Sequence, residues 1–199
     1  MVRSVIQDGA CTPIIENIQA IDTQFTRPSQ GEFVLHHESG SLMLNSDFQP
    51  FETTLTPGME KLIATSGGRP CNANMPYFNI AWPSGGAIVV VGWPGQWSAK
   101  FTRDQANGLT VKAGQELTHF KLHPGEEVRG PLMVVQFYDG DWIRGQNIWR
   151  RWMVAHNLPR PGGKLVPVHF GSCWGNILPR ASEEVEQMAG WEREKIKLD

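Results

Sequence analysis

MPYFNIAWPSGGAIVVVGWPGQWSAKF, Met75 to Phe101, decides the fold class. Phe78, Ile80 and Trp82 alternate with polar or small residues up to a turn at Pro83–Gly86. Ala87 to Val91 is apolar without a break, which suits a strand covered on both faces. Trp97, Ala99 and Phe101 then alternate with Ser98, Lys100 and Thr102. Strand residues two apart share a face, so this stretch reads as three consecutive strands joined by tight Gly/Pro turns.

The same period-two pattern extends outward. Phe33, Leu35 and His37 interleave with Val34 and His36, and Phe51, Thr53 and Leu55 form a row between Pro50 and Pro57. Leu109, Val111 and Ala113 follow Asn107–Gly108, a dipeptide that predicts a type I′ hairpin turn because both central residues there need positive φ. His123–Pro124–Gly125 predicts another turn, and Leu132–Tyr138 a last long strand. Short strands at this spacing predict a mainly β fold, a sandwich or barrel of antiparallel strands. The period changes after Asp141. In RGQNIWRRWMVAHN, Ile148, Trp149, Trp152 and Met153 share one helical face, and Arg144, Asn147 and Arg151 occupy the other. LPRPGGK, Leu158–Lys164, ends that helix and is the best linker candidate. Beyond it, Val166, Val168 and Phe170 alternate as a strand. Gly171–Pro179 reads as a loop, and a closing helix is capped by Ser182 with Glu183 and Glu184 in its first turn. One strand and one amphipathic helix cannot bury each other. The tail therefore reads as the first βα unit of a larger assembly.

Composition excludes several functions. A net charge of −2 over 199 residues gives no basic footprint for nucleic acid. No apolar run approaches the roughly 18 residues of a membrane span. MVRSVIQDGA is too weakly apolar for a secretory signal, so the expected compartment is the cytoplasm. Cys11, Cys71 and Cys173 are widely spaced with no CxxC pair, which predicts reduced thiols in or near cores.

Motifs for chemistry are sparse. His119 and His123 are spaced i, i+4, but ELTHFKLHPG reads as strand and turn, where they would not converge on a metal. His36 and His37 point to opposite faces of a strand and read as structural. Asp139 and Asp141 flank Gly140 in FYDGDW, which reads as a strand-to-helix turn rather than a calcium or acid/base pair. GGRPCNANMP lacks the lysine and hydroxyl of a phosphate loop. In GWPGQW, Trp93 and Trp97 read as core indoles closing a sandwich corner; the rival reading is an exposed sugar-stacking platform. The chain lacks G-x-S-x-G, G-x-G-x-x-G and H-E-x-x-H.

Four segments carry a resemblance: GEFVLHHESGS, the Met75–Phe101 stretch, Val111–Asn157 and VPVHFGSCWGN. Together they resemble the α-galactosidase-type glycoside hydrolases, the melibiase group of clan D, from about Glu16 onward and most specifically over Gly92–Asn157. The resemblance implies an antiparallel β-supersandwich at residues 1–141, with its first strands expected to be missing. A connecting helix and linker would follow at 142–165, then the first βα unit of a truncated (β/α)8 barrel at 166–199. It also implies a retaining exo-α-galactosidase that is catalytically incomplete as this chain, because the family's two catalytic aspartates would lie beyond Asp199. Trp174 is the one position carried over, as a wall of the galactose pocket; Gly175 stands where some relatives have an acidic residue. No metal or organic cofactor is implied. The expected ligand is an α-galactoside, in the complete enzyme, with no nucleic-acid or membrane partner. The alternative is a non-catalytic carbohydrate-binding or assembly module, in which an open sheet edge pairs with a second copy as a homo-oligomer.

Overall fold

A computed structural model of the chain describes residues 2–3, 10–27 and 30–164. The expected βα unit at 166–199, with Trp174 and Cys173, lies outside them.

Thirteen strands and one α-helix are present among the described residues. In chain order the strands are β1 (Val2–Arg3), β2 (Ile15–Glu16), β3 (Gln19–Thr26), β4 (Phe33–Glu38), β5 (Pro50–Leu55), β6 (Glu60–Ala64) and β7 (Tyr77–Trp82). They continue as β8 (Gly85–Gly92), β9 (Trp97–Arg103), β10 (Gly108–Gln115), β11 (His119–Phe120), β12 (Glu127–Val128) and β13 (Leu132–Asp139), before helix α1 (Trp142–His156). Two sheets contain the long strands, in the orders β3-β10-β9-β6 and β13-β8-β7-β4-β5. Every pairing in them is antiparallel, and β1–β12 and β2–β11 add two short ladders.

The inward positions are those the alternation selects. Trp97, Ala99 and Phe101 on β9 and Leu109, Val111 and Ala113 on β10 are fully buried; Phe33, Leu35, Phe78, Ile80, Ala87 and Val89 face them from the other sheet. Aromatic rings lock the layers: Phe78 meets Trp97 edge-on at 5.7 Å and Phe101 at 5.1 Å. β8 is buried along both faces except at Gly92, as its unbroken apolar run predicts. Its inner face belongs to the sandwich. On its outer face Ile88 and Val90 are buried beside Asn79, on the side where α1 lies.

Helix α1 begins because Gly140, at φ 92°, turns the chain out of β13, and the Asp141 carboxylate accepts the Arg144 amide at 2.7 Å. The Asp139–Gly140–Asp141 turn is therefore structural. The face that meets the sheet is Trp142, Gly145 and Trp149. Asn79 Nδ2 donates to the Trp142 carbonyl at 3.0 Å, and Trp149 packs on Tyr77 with ring centres 6.0 Å apart. Of the expected face, Ile148, Trp149, Trp152 and Met153, the sheet takes Trp149, which stacks on Trp152 with ring centres 5.0 Å apart, while Ile148 lies half-buried beside Arg144, Asn147 and Arg151. The closest approach belongs to a glycine, which a hydropathy pattern cannot score. A Cβ at Gly145 would stand 2.5–2.7 Å from three atoms of the Tyr138 ring. The described residues from Met153 onward belong to a second unit. Within it, the Asn157 backbone amide donates to the Met153 carbonyl at 2.9 Å and Arg160 Nη2 to the Val154 carbonyl at 2.7 Å, which satisfies the last helical turn.

Two local expectations need correction. The hairpin at Asn107–Gly108 forms, but neither residue has the positive φ of a type I′ turn. Instead the Asp104 carboxylate accepts the Ala106 and Gly108 amides, and these bonds, that to Gly108 first, hold it below the usual carboxylate range. Cys11 is exposed rather than in a core, with its thiol 3.3 Å from His123 Nδ1. The His123–Pro124–Gly125 turn is present, closed by Glu126 N donating to the His123 carbonyl at 3.0 Å.

His37 is an acid-sensitive element of the sandwich. It is buried on the inner face, stacks on Phe51 at 5.2 Å, and neither ring nitrogen has a hydrogen-bond partner among the described residues. Burial, then the nearby Lys61 charge, pushes its pKa from 6.5 down to about 4. Between those values the unfolded chain binds a proton that the folded chain refuses, so stability falls as pH drops through that window. The expected loss is about 3 kcal/mol. Urea unfolding at pH 7 and pH 4.5 checks it: His37→Phe is expected to flatten the difference, and an equal pH dependence in both proteins contradicts it.

Candidate ligand cleft

A cleft of about 590 Å3 opens on the outward side of β4 and β5, beside the start of α1. Its lining comes from four places in the chain. Glu32, Val34 and His36 point outward from β4 and the residue before it; Glu52 projects from β5; Ala81, Trp82 and Pro83 end β7; and Gly140, Asp141 and Trp142 start the helix. Alternation sends Phe33, Leu35 and His37 inward, so Glu32, Val34 and His36 must face out.

The polar groups of the cleft are held in place. The His36 imidazole stacks on Trp142, with ring centres 4.4 Å apart and planes 18° apart, and its Nδ1 lies 3.5 Å from Glu52 Oε2. Burial lowers the His36 pKa, with Glu52 opposing the shift, so the ring is neutral at pH 7. Glu32 is clamped from behind by Arg103 Nε at 3.2 Å and Arg27 Nη2 at 3.6 Å. Trp142 is fixed through its backbone by Asn79, whose Oδ1 accepts the Tyr138 hydroxyl at 2.6 Å. Burial drives the Tyr138 pKa up to about 12, so it remains a donor at any physiological pH.

The residues singled out in the sequence do not converge. His119 bonds Glu16 at 2.6 Å and His123 sits by Cys11, on separate partners, as the strand-and-turn reading predicts. Among the described residues no three His, Cys, Asp or Glu side chains gather around a point that could hold a metal. Trp97 is 0% exposed and donates Nε1 to the Pro70 carbonyl at 2.7 Å, while Trp93 is half-buried against the core. The sugar platform on that turn is therefore absent. His36, structural by its sequence pattern alone, lines the cleft. Among the described residues no helix is long and apolar enough to cross a membrane.

Fold and cleft together define an antiparallel β-sandwich with a helix laid on the outer face of one sheet. Among solved structures, the galactosidase domain of the α-galactosidase-sucrose kinase AgaSK has this fold, with a TM-score of 0.54 and 20% identity over 64% of this chain. The GH36 α-galactosidase AgaA of Geobacillus stearothermophilus gives a TM-score of 0.47 at 17% identity over 59% of the chain, and a variant of it in complex with raffinose gives 0.46 at 18% over 59%. This chain spans 18% of the first structure's length and 17% of each of the other two. The first superposes closely enough to establish a shared fold, and its identity carries nothing further. No family model and no curated protein matches the chain.

Proposed function

We propose that the chain is the N-terminal part of a retaining exo-α-galactosidase-like glycoside hydrolase. Residues 1–141 would be its sandwich, 142–165 its connecting helix and linker, and 166–199 the opening βα unit of its catalytic barrel. The observation that carries the reading is the two-sheet fold shared with a galactosidase domain, in a chain whose sequence resembles that family most over Gly92–Asn157. In such an enzyme a carboxylate attacks the anomeric carbon while a carboxylic acid protonates the leaving oxygen, and water then releases the sugar with retained configuration. On this reading Trp174 would line the galactose pocket, beside the C-terminal end of the first barrel strand, where barrel enzymes keep their sites. The described carboxylates of the Asp139–Asp141 turn are given no catalytic role, since Asp141 caps α1.

The reading is tested on a chromogenic α-galactoside. The 199-residue chain is expected to show no turnover above a blank. A longer polypeptide that continues the same frame through a complete barrel is expected to hydrolyse the α- but not the β-anomer, with Trp174→Ala raising KM about tenfold or more by removing a stacking wall. Turnover by the short chain, or inactivity of the long one on every α-galactoside, overturns it.

A further inference from the structure

The cleft on the outer face of β4 and β5 combines features that the proposed catalytic role does not use. Its volume of about 590 Å3 falls within the range of small-molecule sites, roughly 300–1,000 Å3. One open indole, Trp142, stands at its wall, and Trp82 lines it with an indole that packs against the core. Trp142 keeps 40% of its surface open while resting on His36, and Trp82 is half-buried, edge-on to Phe33 at 6.0 Å. Flat, partly exposed rings held rigidly offer an apolar surface at little entropic cost.

The polar groups are mostly acceptors. Glu52, whose side chain is 65% exposed, Glu32 and Asp141 contribute carboxylates, and each carboxylate oxygen has two lone-pair sites. Their structural partners use only part of that capacity. Among the described residues no lysine or arginine lines the cleft; Arg103 and Arg27 hold Glu32 from behind, and Arg144 stands beside Gly140 at the helix end. Phosphorylated, sulfated or uronic ligands are therefore repelled. What fits is a ligand rich in hydroxyl donors that also presents one flat apolar C–H face.

We propose that this cleft binds a neutral saccharide, with a pyranose ring against Trp142 and its hydroxyls donated to Glu52, Asp141 and Glu32. The cavity and its acceptors select the class; the choice of a galactose-containing sugar as probe rests on the glycoside hydrolase reading above. Nothing in the site performs chemistry: it would hold an oligosaccharide on the sandwich.

Titrating the 199-residue chain with raffinose, read by calorimetry and tryptophan fluorescence, tests the proposal. Saturable binding with a dissociation constant of about 1–10 mM is expected. Glu52→Gln, at an exposed edge position where the fold should be kept, is expected to weaken binding about fivefold by replacing a charged acceptor with a neutral one. Trp142→Ala is expected to weaken it more than tenfold, and Trp93→Phe, outside the cleft, to leave it unchanged. Absence of saturation at about 50 mM raffinose, binding indifferent to both cleft variants, or displacement of raffinose by putrescine at constant ionic strength overturns the proposal; the last would show a site for cations. Binding is read without turnover. An inactive long polypeptide would therefore sink the hydrolase reading while leaving this result standing, and the reverse also holds.

Discussion

Replacing Arg103 by alanine is expected to destabilise the sandwich by about 4 kcal/mol, which urea unfolding at pH 7 would show as a drop in midpoint at unchanged slope. Its side chain is 0% exposed, and every nitrogen is engaged. Nε donates to Glu32 Oε2 at 3.2 Å. Nη1 donates to Asp104 Oδ1 at 2.5 Å, to the Asp104 carbonyl at 3.0 Å and to the Gly108 carbonyl at 3.2 Å; Nη2 reaches the Ala106 carbonyl at 2.7 Å. The guanidinium also lies 5.7 Å from the centre of the Phe33 ring. Alanine would strip three turn carbonyls and two carboxylates of their donor and leave a hole at the end of the core. Both carboxylates are about one-third exposed, at 31% and 38%, so water recovers part of the loss and keeps the figure from the top of the range. Lysine should recover little, since one ammonium cannot point along the guanidinium's divergent directions. A loss below about 1 kcal/mol for Arg103→Ala would show that the β9–β10 turn is held by Asp104 alone.

The second large effect is expected at Gly145. Alanine is the better helix former by about 1 kcal/mol, and at an exposed site it would stabilise α1. Here its methyl group would fall 2.5–2.7 Å from Tyr138 Cε1, Cδ1 and Cζ. Tyr138 cannot yield easily, because its hydroxyl is bonded to Asn79 and its ring is buried against Gly86. Overpacking of this kind costs about 1–3 kcal/mol, so Gly145→Ala should be net destabilising and Gly145→Leu should lose about 3 kcal/mol or lift the helix from the sheet. Lifting would expose Trp149 and shift its fluorescence to the red. Tyr138→Ala combined with Gly145→Leu should fall short of the summed single losses, since the two side chains compete for one space. A stabilising Gly145→Ala would contradict the packing described for this interface.

Much of the sandwich was legible because its chemistry is periodic. Trp97–Phe101 and Phe33–His37 alternate in sequence and alternate in burial, and the unbroken apolar run of Ala87–Val91 anticipated a layer on each side of β8. The helix was legible in extent but less so in orientation: its contact face turns on Gly145, where the informative property is the absence of a side chain. Arg103 gave no signal, since a lone arginine at a strand end resembles any solvated charge until Glu32 arrives from 71 residues away. The cleft was illegible for the same reason. His36, Glu52 and Trp142 belong to three elements, and nothing local in any of them announces the other two.

Tyr138 touches both Gly86 and Gly145, one on the sheet and one on the helix, while Asn79 receives its hydroxyl. These four positions can therefore drift during evolution only as a group. A sequence that acquires a bulkier residue at 86 or 145 should have surrendered the phenol at 138, and one that surrenders the phenol leaves the Asn79 carbonyl oxygen to find another donor. Their joint pattern would let a divergent homologue be recognised after overall similarity has faded.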